Sequence, residues 1–385
     1  MKTICVISGY RSDYTKLKSV MVAIDNHKDL NLKLIVFGAH TLDDCGHSYK
    51  QIIDDGFYID EMLSTNVQGT GTTSMSKSMG LGLIELSTAL VQIKPDATLI
   101  VGDRFEIVSA ALASSVNNIP VIHIQGGEIS GTIDETLRHS ITKLSHLHFP
   151  STEISAKRIK QLGEDPETIF NVGCPAVDYI LSQEYITKEQ MNTSDMFAEF
   201  DIDFNEDYGI IIQHPVTTNY KASEKNMMLT LEALQESGLN SLLVYPNPDP
   251  GATGIVKAIR KFDLKYGERS IIKQKVKNIP FEIYLNLLKN CKCLIGNSSS
   301  GIREAHIFNI PVINIGDRQR GRERTGNVVD VQHHKQSILQ AIENIDSRRE
   351  TPVSIYGDGT ASKQIANIIS KTDFDKIIEK RFFNV

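Results

Sequence analysis

Three carboxylates stand just beyond two successive apolar runs. Residues 98–101 lead into Gly102-Asp103-Arg104-Phe105-Glu106, and residues 121–124 lead into Gln125-Gly126-Gly127-Glu128-Ile129-Ser130-Gly131-Thr132-Ile133-Asp134-Glu135. Asp103, Glu128 and Asp134 form an acidic set able to exchange protons with a substrate, provided burial spreads their pKa values. Read singly, each is equally a helix cap or a partner of Arg104 or Arg138. In the second half, Gly296-Asn297-Ser298-Ser299-Ser300-Gly301 has the make-up a phosphate needs: glycines for close backbone approach, hydroxyl donors, and a helix N-terminus. It lacks the Lys of a P-loop, which excludes that motif. A serine-capped turn without a ligand is the plain alternative. Arg11 and Arg318 would complete a diphosphate cradle. His214, before a Pro at a strand end, is a candidate donor to phosphate or sugar, or else a structural histidine.

The elements that position these residues follow from periodicity. Residues 3–8 are almost continuously apolar, as a strand covered on both faces should be. They end in Gly9-Tyr10-Arg11-Ser12-Asp13-Tyr14-Thr15-Lys16, after which Leu17, Val20, Met21 and Ile24 recur at helical spacing. This βα unit offers Arg11 and small hydroxyls, Thr15 among them, at a helix N-terminus suited to an anion, or simply a capped helix with solvated charges. A strand at 32–37 follows, with a helix expected after Gly38-Ala39-His40-Thr41-Leu42-Asp43-Asp44. Residues 67–82, rich in Gly, Thr, Ser and Met, read as starting in a mobile loop, with the composition of a lid. Strands separated by helical stretches, without hairpin signals, indicate a parallel doubly wound sheet whose strand ends form the ligand edge.

The polar segment 182–205 separates two α/β halves and sets the expected boundaries: 1–182 carrying the carboxylates, 206–361 carrying the phosphate loop, and 362–385 a helix returning to the first half. Strands in the second half end in Gln213-His214-Pro215-Val216-Thr217-Thr218, in Pro246-Asn247-Pro248-Asp249, at Gly296, and in Asp317-Arg318-Gln319-Arg320-Gly321-Arg322. A helix is expected over 302–308 with Arg303 and Glu304 in its first turn. A diphosphate cradle in one half and carboxylates in the other suggest a nucleotide-sugar enzyme working in an interdomain cleft.

At 385 residues the chain is long enough for two cores, and 41% hydrophobic and 23% charged residues fit an ordinary globular protein. A net charge of −6 argues against a nucleic-acid surface and gives no polybasic membrane patch. The N-terminal run is too short for a signal peptide or membrane span, so cytoplasm is expected. Cys5, Cys45, Cys174, Cys291 and Cys293 show no disulfide framework, and Cys291-x-Cys293, read as lying in one strand, is taken as packing rather than a metal site.

Taken in order, Gly9-Tyr10-Arg11-Ser12-Asp13-Tyr14, Gly102-Asp103-Arg104-Phe105, Gly126-Gly127-Glu128 with Gly131-Thr132-Ile133-Asp134, Gln213-His214-Pro215-Val216-Thr217-Thr218, Gly296-Asn297-Ser298-Ser299 and Tyr356-Gly357-Asp358-Gly359 resemble the UDP-N-acetylglucosamine 2-epimerase family. More narrowly they resemble its hydrolysing branch, which includes bacterial sialic-acid enzymes and the epimerase half of the human bifunctional epimerase/kinase. The resemblance implies a glycosyltransferase-B-like fold of two Rossmann-like domains facing a cleft, with the last helix crossing back. It implies conversion of UDP-N-acetylglucosamine and water to N-acetylmannosamine and UDP through a 2-acetamidoglucal, without metal or redox cofactor, serving sialic-acid or related synthesis for a surface polysaccharide. Relatives imply a homodimer or homotetramer.

By position, Asp103 and Asp134 match acid/base carboxylates of the family, and Arg11, His214, Ser298, Ser299, Glu304 and Arg318 match UDP-binding positions. Thr15, Arg104 and Asn247, in the same loops, join the binding candidates. One departure stands out. Where the human-type pattern reads Glu-Gly-Gly-Glu, this chain has Gln125-Gly126-Gly127-Glu128, and an amide cannot exchange a proton as a carboxylate does. Either Asp103, Glu128 or Asp134 takes that role, or Gln125 orients water or sugar. The amide also signals a modified sugar, a UDP-2,4-diacetamido-trideoxyglucose. A non-hydrolysing epimerase, a glycosyltransferase and a silent nucleotide-sugar sensor complete the alternatives.

Overall fold

A computed structural model describes the chain except residues 44, 45, 70, 248, 349–353 and 385. Asp44, Cys45, Thr70 and Pro248, named above, therefore lie outside the described residues. The chain forms two compact units: Met1–Ile129, Ile133–Ser182 and Tyr356–Val385 make the first, Ser130–Thr132 and Gln183–Ile355 the second.

The first unit is built on a parallel sheet of β1 (Lys2–Ser8), β2 (Leu30–Phe37), β3 (Glu61–Leu63), β4 (Ala97–Val101), β5 (Val121–Ile124) and β6 (Leu147–Phe149), in the order β3-β2-β1-β4-β5-β6. Both faces are covered, and the pleat divides the strand residues between them: Ile4 and Val6 of β1 with Leu99 and Val101 of β4 enter one core, Cys5 and Ile7 with Ile100 the other. The order reverses between β1 and β4, so the loops after these two strands border a topological switch point, where doubly wound sheets hold ligands.

The second unit repeats the plan with β7 (Gly209–Ile212), β8 (Ser241–Val244), β9 (Ile272–Val276), β10 (Cys293–Gly296), β11 (Val312–Ile315) and β12 (Val328–Val331), all pairs parallel, in the order β12-β11-β10-β7-β8-β9. Its switch point lies between β7 and β10. Ile211, Leu243, Cys293, Ile295, Ile313 and Ile315 share a core with Met227, Leu231, Ile259, Phe262 and Ile338 of flanking helices.

Tyr356–Val385 completes the first unit. The helix Ala361–Lys371 puts Ile365, Ala366 and Ile369 into the core beside Leu17, Val20 and Ile24. Its N-terminus is held by Asp178, whose carboxylate accepts the Ala361 and Ser362 N–H groups at 3.2 and 2.6 Å, the orphan donors of a helix start.

Two sequence expectations need correction, and a third extends only part of the way: residues 67–82 begin outside any helix and are helical from Thr72 onward, within Thr72–Ile93. The serine hydroxyls that suggested a loop return to carbonyls one turn back, Ser76 to Thr72 at 3.0 Å and Ser78 to Ser74 at 2.9 Å, while Leu86, Ala89 and Leu90 are buried. The helix expected over 302–308 is instead the single turn Ser300–Arg303: beyond it the Ala305 N–H reaches back to the Ser300 carbonyl and the Ile307 N–H to the Glu304 carbonyl, turn bonds that do not continue the i→i−4 ladder, and Asn309 adopts a left-handed φ of 52°. Cys291 follows the helix Phe281–Asn290 and only Cys293 lies in a strand; both thiols are buried.

Candidate functional site

In the first unit the candidate residues occupy the loops after β1, β4 and β5. Beyond β1, Tyr10 is extended and the helix Arg11–Asp25 begins, with Arg11 half-buried in its first turn. Asp13, 2% exposed, accepts the Gly9 N–H at 3.2 Å; burial pushes its carboxyl up to about 7, against the pull of Lys16 and Arg104. Thr15 donates its hydroxyl to the Ser12 carbonyl at 3.1 Å, so that group serves its own helix.

Beyond β4, Arg104 is bidentate to the Glu106 carboxylate, at 3.1 and 2.9 Å, and lies over the Tyr10 ring at 4.4 Å. These contacts join the β1 and β4 loops at the switch point. Asp103 is ion-paired to Arg138, a fully buried residue of the helix Ile133–Leu144, and a second guanidinium nitrogen donates to the Glu128 carbonyl at 2.6 Å. Beneath them His123 bonds the Gly102 carbonyl at 2.8 Å, and burial holds its pKa down at about 3, so the ring is neutral.

Gln125 follows β5 with a left-handed φ of 66°, fully buried, its amide donating to the Cys174 sulfur at 3.0 Å. Glu128 is buried, and Asp134 is half-buried in the first turn of the helix Ile133–Leu144. The structure thus brings Asp103 and the Glu128 backbone together through Arg138; for Asp134 it shows placement at the start of the same helix.

In the second unit Asn297 is the hub. Its side-chain oxygen accepts the His214 N–H at 2.7 Å and its amide donates to the His214 carbonyl at 2.9 Å, which locks the β7 and β10 loops together at the switch point. Its carbonyl accepts from Arg318 at 3.1 Å and from Gln319 at 2.9 Å, bringing in the loop after β11. The Asn247 N–H donates to His214 Nδ1 at 3.2 Å, which leaves Nε2 as the ring's donor nitrogen. Gly296, at φ 135°, is demanded by space: a Cβ there would stand 2.1 Å from the Ile212 carbonyl oxygen. Ser298 and Ser299 are half-buried before the short helix, with Ser298 Oγ accepting the Ser300 N–H at 3.3 Å. Glu304 is 8% exposed, and its Oε2 is buried without a hydrogen-bond partner among the described residues. A buried carboxylate oxygen left in that state is costly and suited to a hydroxyl-bearing ligand.

Sequence reasoning passed over Asn297 and Arg138 as site residues. Asn297 lay inside a motif credited to its glycines and serines, and Arg138 was noted only as a partner for a carboxylate. Asp13 had one available signal, a carboxylate in the first turn of a helix that follows a buried strand.

Two doubly wound parallel sheets, each reversing its order once, define a two-unit α/β fold of Rossmann-like units, the fold class expected from the sequence. The solved structure of Methanocaldococcus jannaschii UDP-GlcNAc 2-epimerase in complex with UDP-GlcNAc and UDP has this fold, with a TM-score of 0.78 at 20% identity, covering 96% of this chain and 100% of that one. The chain belongs to the UDP-N-acetylglucosamine 2-epimerase family, whose model matches residues 22–370. It is 33% identical over 392 residues to the GDP/UDP-N,N'-diacetylbacillosamine 2-epimerase (hydrolyzing) of Campylobacter jejuni, covering 100% of this chain and 99% of that one. It is also 33% identical over 390 residues to a UDP-N-acetylglucosamine 2-epimerase of Neisseria meningitidis, with both chains covered completely. The resemblance read from the motifs therefore holds.

Proposed function

We propose that this chain hydrolyses and epimerises UDP-N-acetylglucosamine, giving N-acetylmannosamine and UDP. The observation that carries the nucleotide half of this reading is the loop system fixed by Asn297, with the unsatisfied Glu304 oxygen beside it in sequence. In this reading Glu304 accepts from the ribose hydroxyls, while Ser298, Ser299, Arg318 and the Nε2–H of His214 face the diphosphate. Arg11 and Arg104 are its further cations, and Asn247 fixes the His214 tautomer.

The first unit supplies the proton chemistry. A carboxylate, Asp103, takes the sugar C2 proton; the C–H electron pair forms C1=C2, the C1–O bond breaks, and UDP departs with the C1–O bonding pair. Water then adds its hydroxyl to C1 of the 2-acetamidoglucal and gives its other proton to an ionised carboxylate of the acidic set. A proton from Asp134 or Glu128 reaches the opposite face of C2, which inverts that centre. Gln125 orients water or sugar. No co-reactant other than water is consumed, in keeping with the absence of any cofactor from this reading.

Gln125 favours a second reading on a modified sugar, UDP-N,N'-diacetylbacillosamine, the kind of substrate named for the Campylobacter jejuni relative. A proton NMR time course in D2O with each sugar nucleotide decides. The expected result is free N-acetylmannosamine deuterated at C2 with UDP in equal amount. Turnover of the diacetamido substrate alone moves the assignment to the second reading, and UDP-N-acetylmannosamine as product removes the hydrolytic step.

A further inference from the structure

We infer that Arg138 is the residue that positions Asp103 for proton transfer, an inference that rests on the proposed reading of Asp103 as the base. Burying a guanidinium completely costs several kcal/mol unless its charge is matched and its donors are used. Arg138 is fully buried, and the Asp103 carboxylate and the Glu128 carbonyl are among its partners. They belong to the loops after β4 and β5, separated in sequence but adjacent at the strand ends. One planar fork therefore sets the spacing between the two loops that deliver the acidic set.

The gripped oxygen is Asp103 Oδ2. The guanidinium favours the ionised carboxylate, the form a base needs at rest, while the neighbouring Arg104 is engaged with Glu106 and the neutral His123 adds no charge. The support is layered. Thr142, one turn after Arg138, donates its hydroxyl to the Arg138 carbonyl at 3.0 Å, and His123 anchors the Gly102 carbonyl just before Asp103 at 2.8 Å. Lysine keeps a charge but has no fork with which to reach both partners.

The test is a double-mutant cycle on the full chain. Arg138→Met is expected to lower kcat by about 100-fold, the scale of a catalytic group displaced by an ångström, with KM and UDP affinity within about threefold of wild type. Arg138→Lys recovers part of the loss. In an Asp103→Asn background, Arg138→Met costs less than about twofold more, because the two residues act as one unit. A loss of kcat that persists at full size without Asp103 overturns the inference, as does near-wild-type turnover of either Arg138 variant. Should Arg138→Met fail to fold, a folded Arg138→Lys with wild-type kcat is equally decisive against it. Full activity of Asp103→Asn alone is a different result: it removes the base assignment itself.

Discussion

Asp13 shows at the scale of one residue how burial writes a pH dependence into the protein. An ordinary aspartate ionises near 3.8, whereas Asp13 holds its proton to about 7 because it is desolvated. Between those values the unfolded chain has released a proton that the folded chain retains, so this group's contribution to stability falls as pH rises through the window and is constant above it. Asp13→Asn keeps an oxygen for the Gly9 N–H and cannot ionise. The variant is expected to melt at the same temperature as wild type near pH 4 and higher than wild type at pH 8, by an amount on the order of a few kcal/mol at most. Thermal melts across that range check it, and equal melting at both ends would show that Asp13 is hydrated in solution. The sequence placed Asp13 in a motif but not its environment. Arg104 and Glu106, whose charges act on it, lie more than ninety positions away along the chain.

Elements were legible where both faces of a strand are buried. β1, β4, β5, β7, β10 and β11 are short runs of Val, Ile and Leu that read as strands without help from context. Two of the edge strands were not: β3 and β12 have one strand neighbour each and mostly half-buried residues, so their apolar signal is diluted. Helix Thr72–Ile93 went unread for another reason, since Gly80 and Gly82 argue against a helix in isolation. Gly82 is nonetheless buried against Ser109, and the same helix accepts that serine's hydroxyl at the Met79 carbonyl, 2.8 Å away.

The C-terminal tail offers an element-scale prediction. Lys380 and Lys143 both bind the buried Glu164, at 2.7 and 2.6 Å, and His148 bonds it at 3.1 Å. Burial would raise the Glu164 carboxyl, but His148 and the lysines outweigh it and hold it at about 2. Beside it the Phe383 N–H donates to the Gly163 carbonyl, and a Cβ on Gly163 would come within 2.4 Å of the Phe382 ring. Gly238 has a similar positive φ, 71° against 80°, but open space around it. Gly163→Ala is therefore expected to cost more than Gly238→Ala, where only backbone strain of about 1–2 kcal/mol applies. It should also speed hydrogen exchange at the Phe383 amide, which Gly238→Ala leaves alone.

Across the whole molecule, the proposed function divides labour between two units with their own cores: nucleotide recognition, apart from Arg11 and Arg104, in the second, and proton transfer in the first. That division predicts which substitutions uncouple binding from turnover. UDP at about 100 times its Kd stabilises a protein that binds it only when folded by about 2.7 kcal/mol. For a unit of this size such a gain raises the transition by roughly 5–10 °C. Asp103→Asn is expected to keep the full UDP-induced rise in calorimetry while losing turnover. Glu304→Gln is expected to lose most of the rise, because its amide offers the ribose a single acceptor oxygen and no charge where the carboxylate offers two. The Glu304 oxygen buried without a partner among the described residues motivates that contrast. A full rise in Glu304→Gln would separate the nucleotide from Glu304, and a rise lost in Asp103→Asn would place UDP binding on the residues assigned to proton transfer.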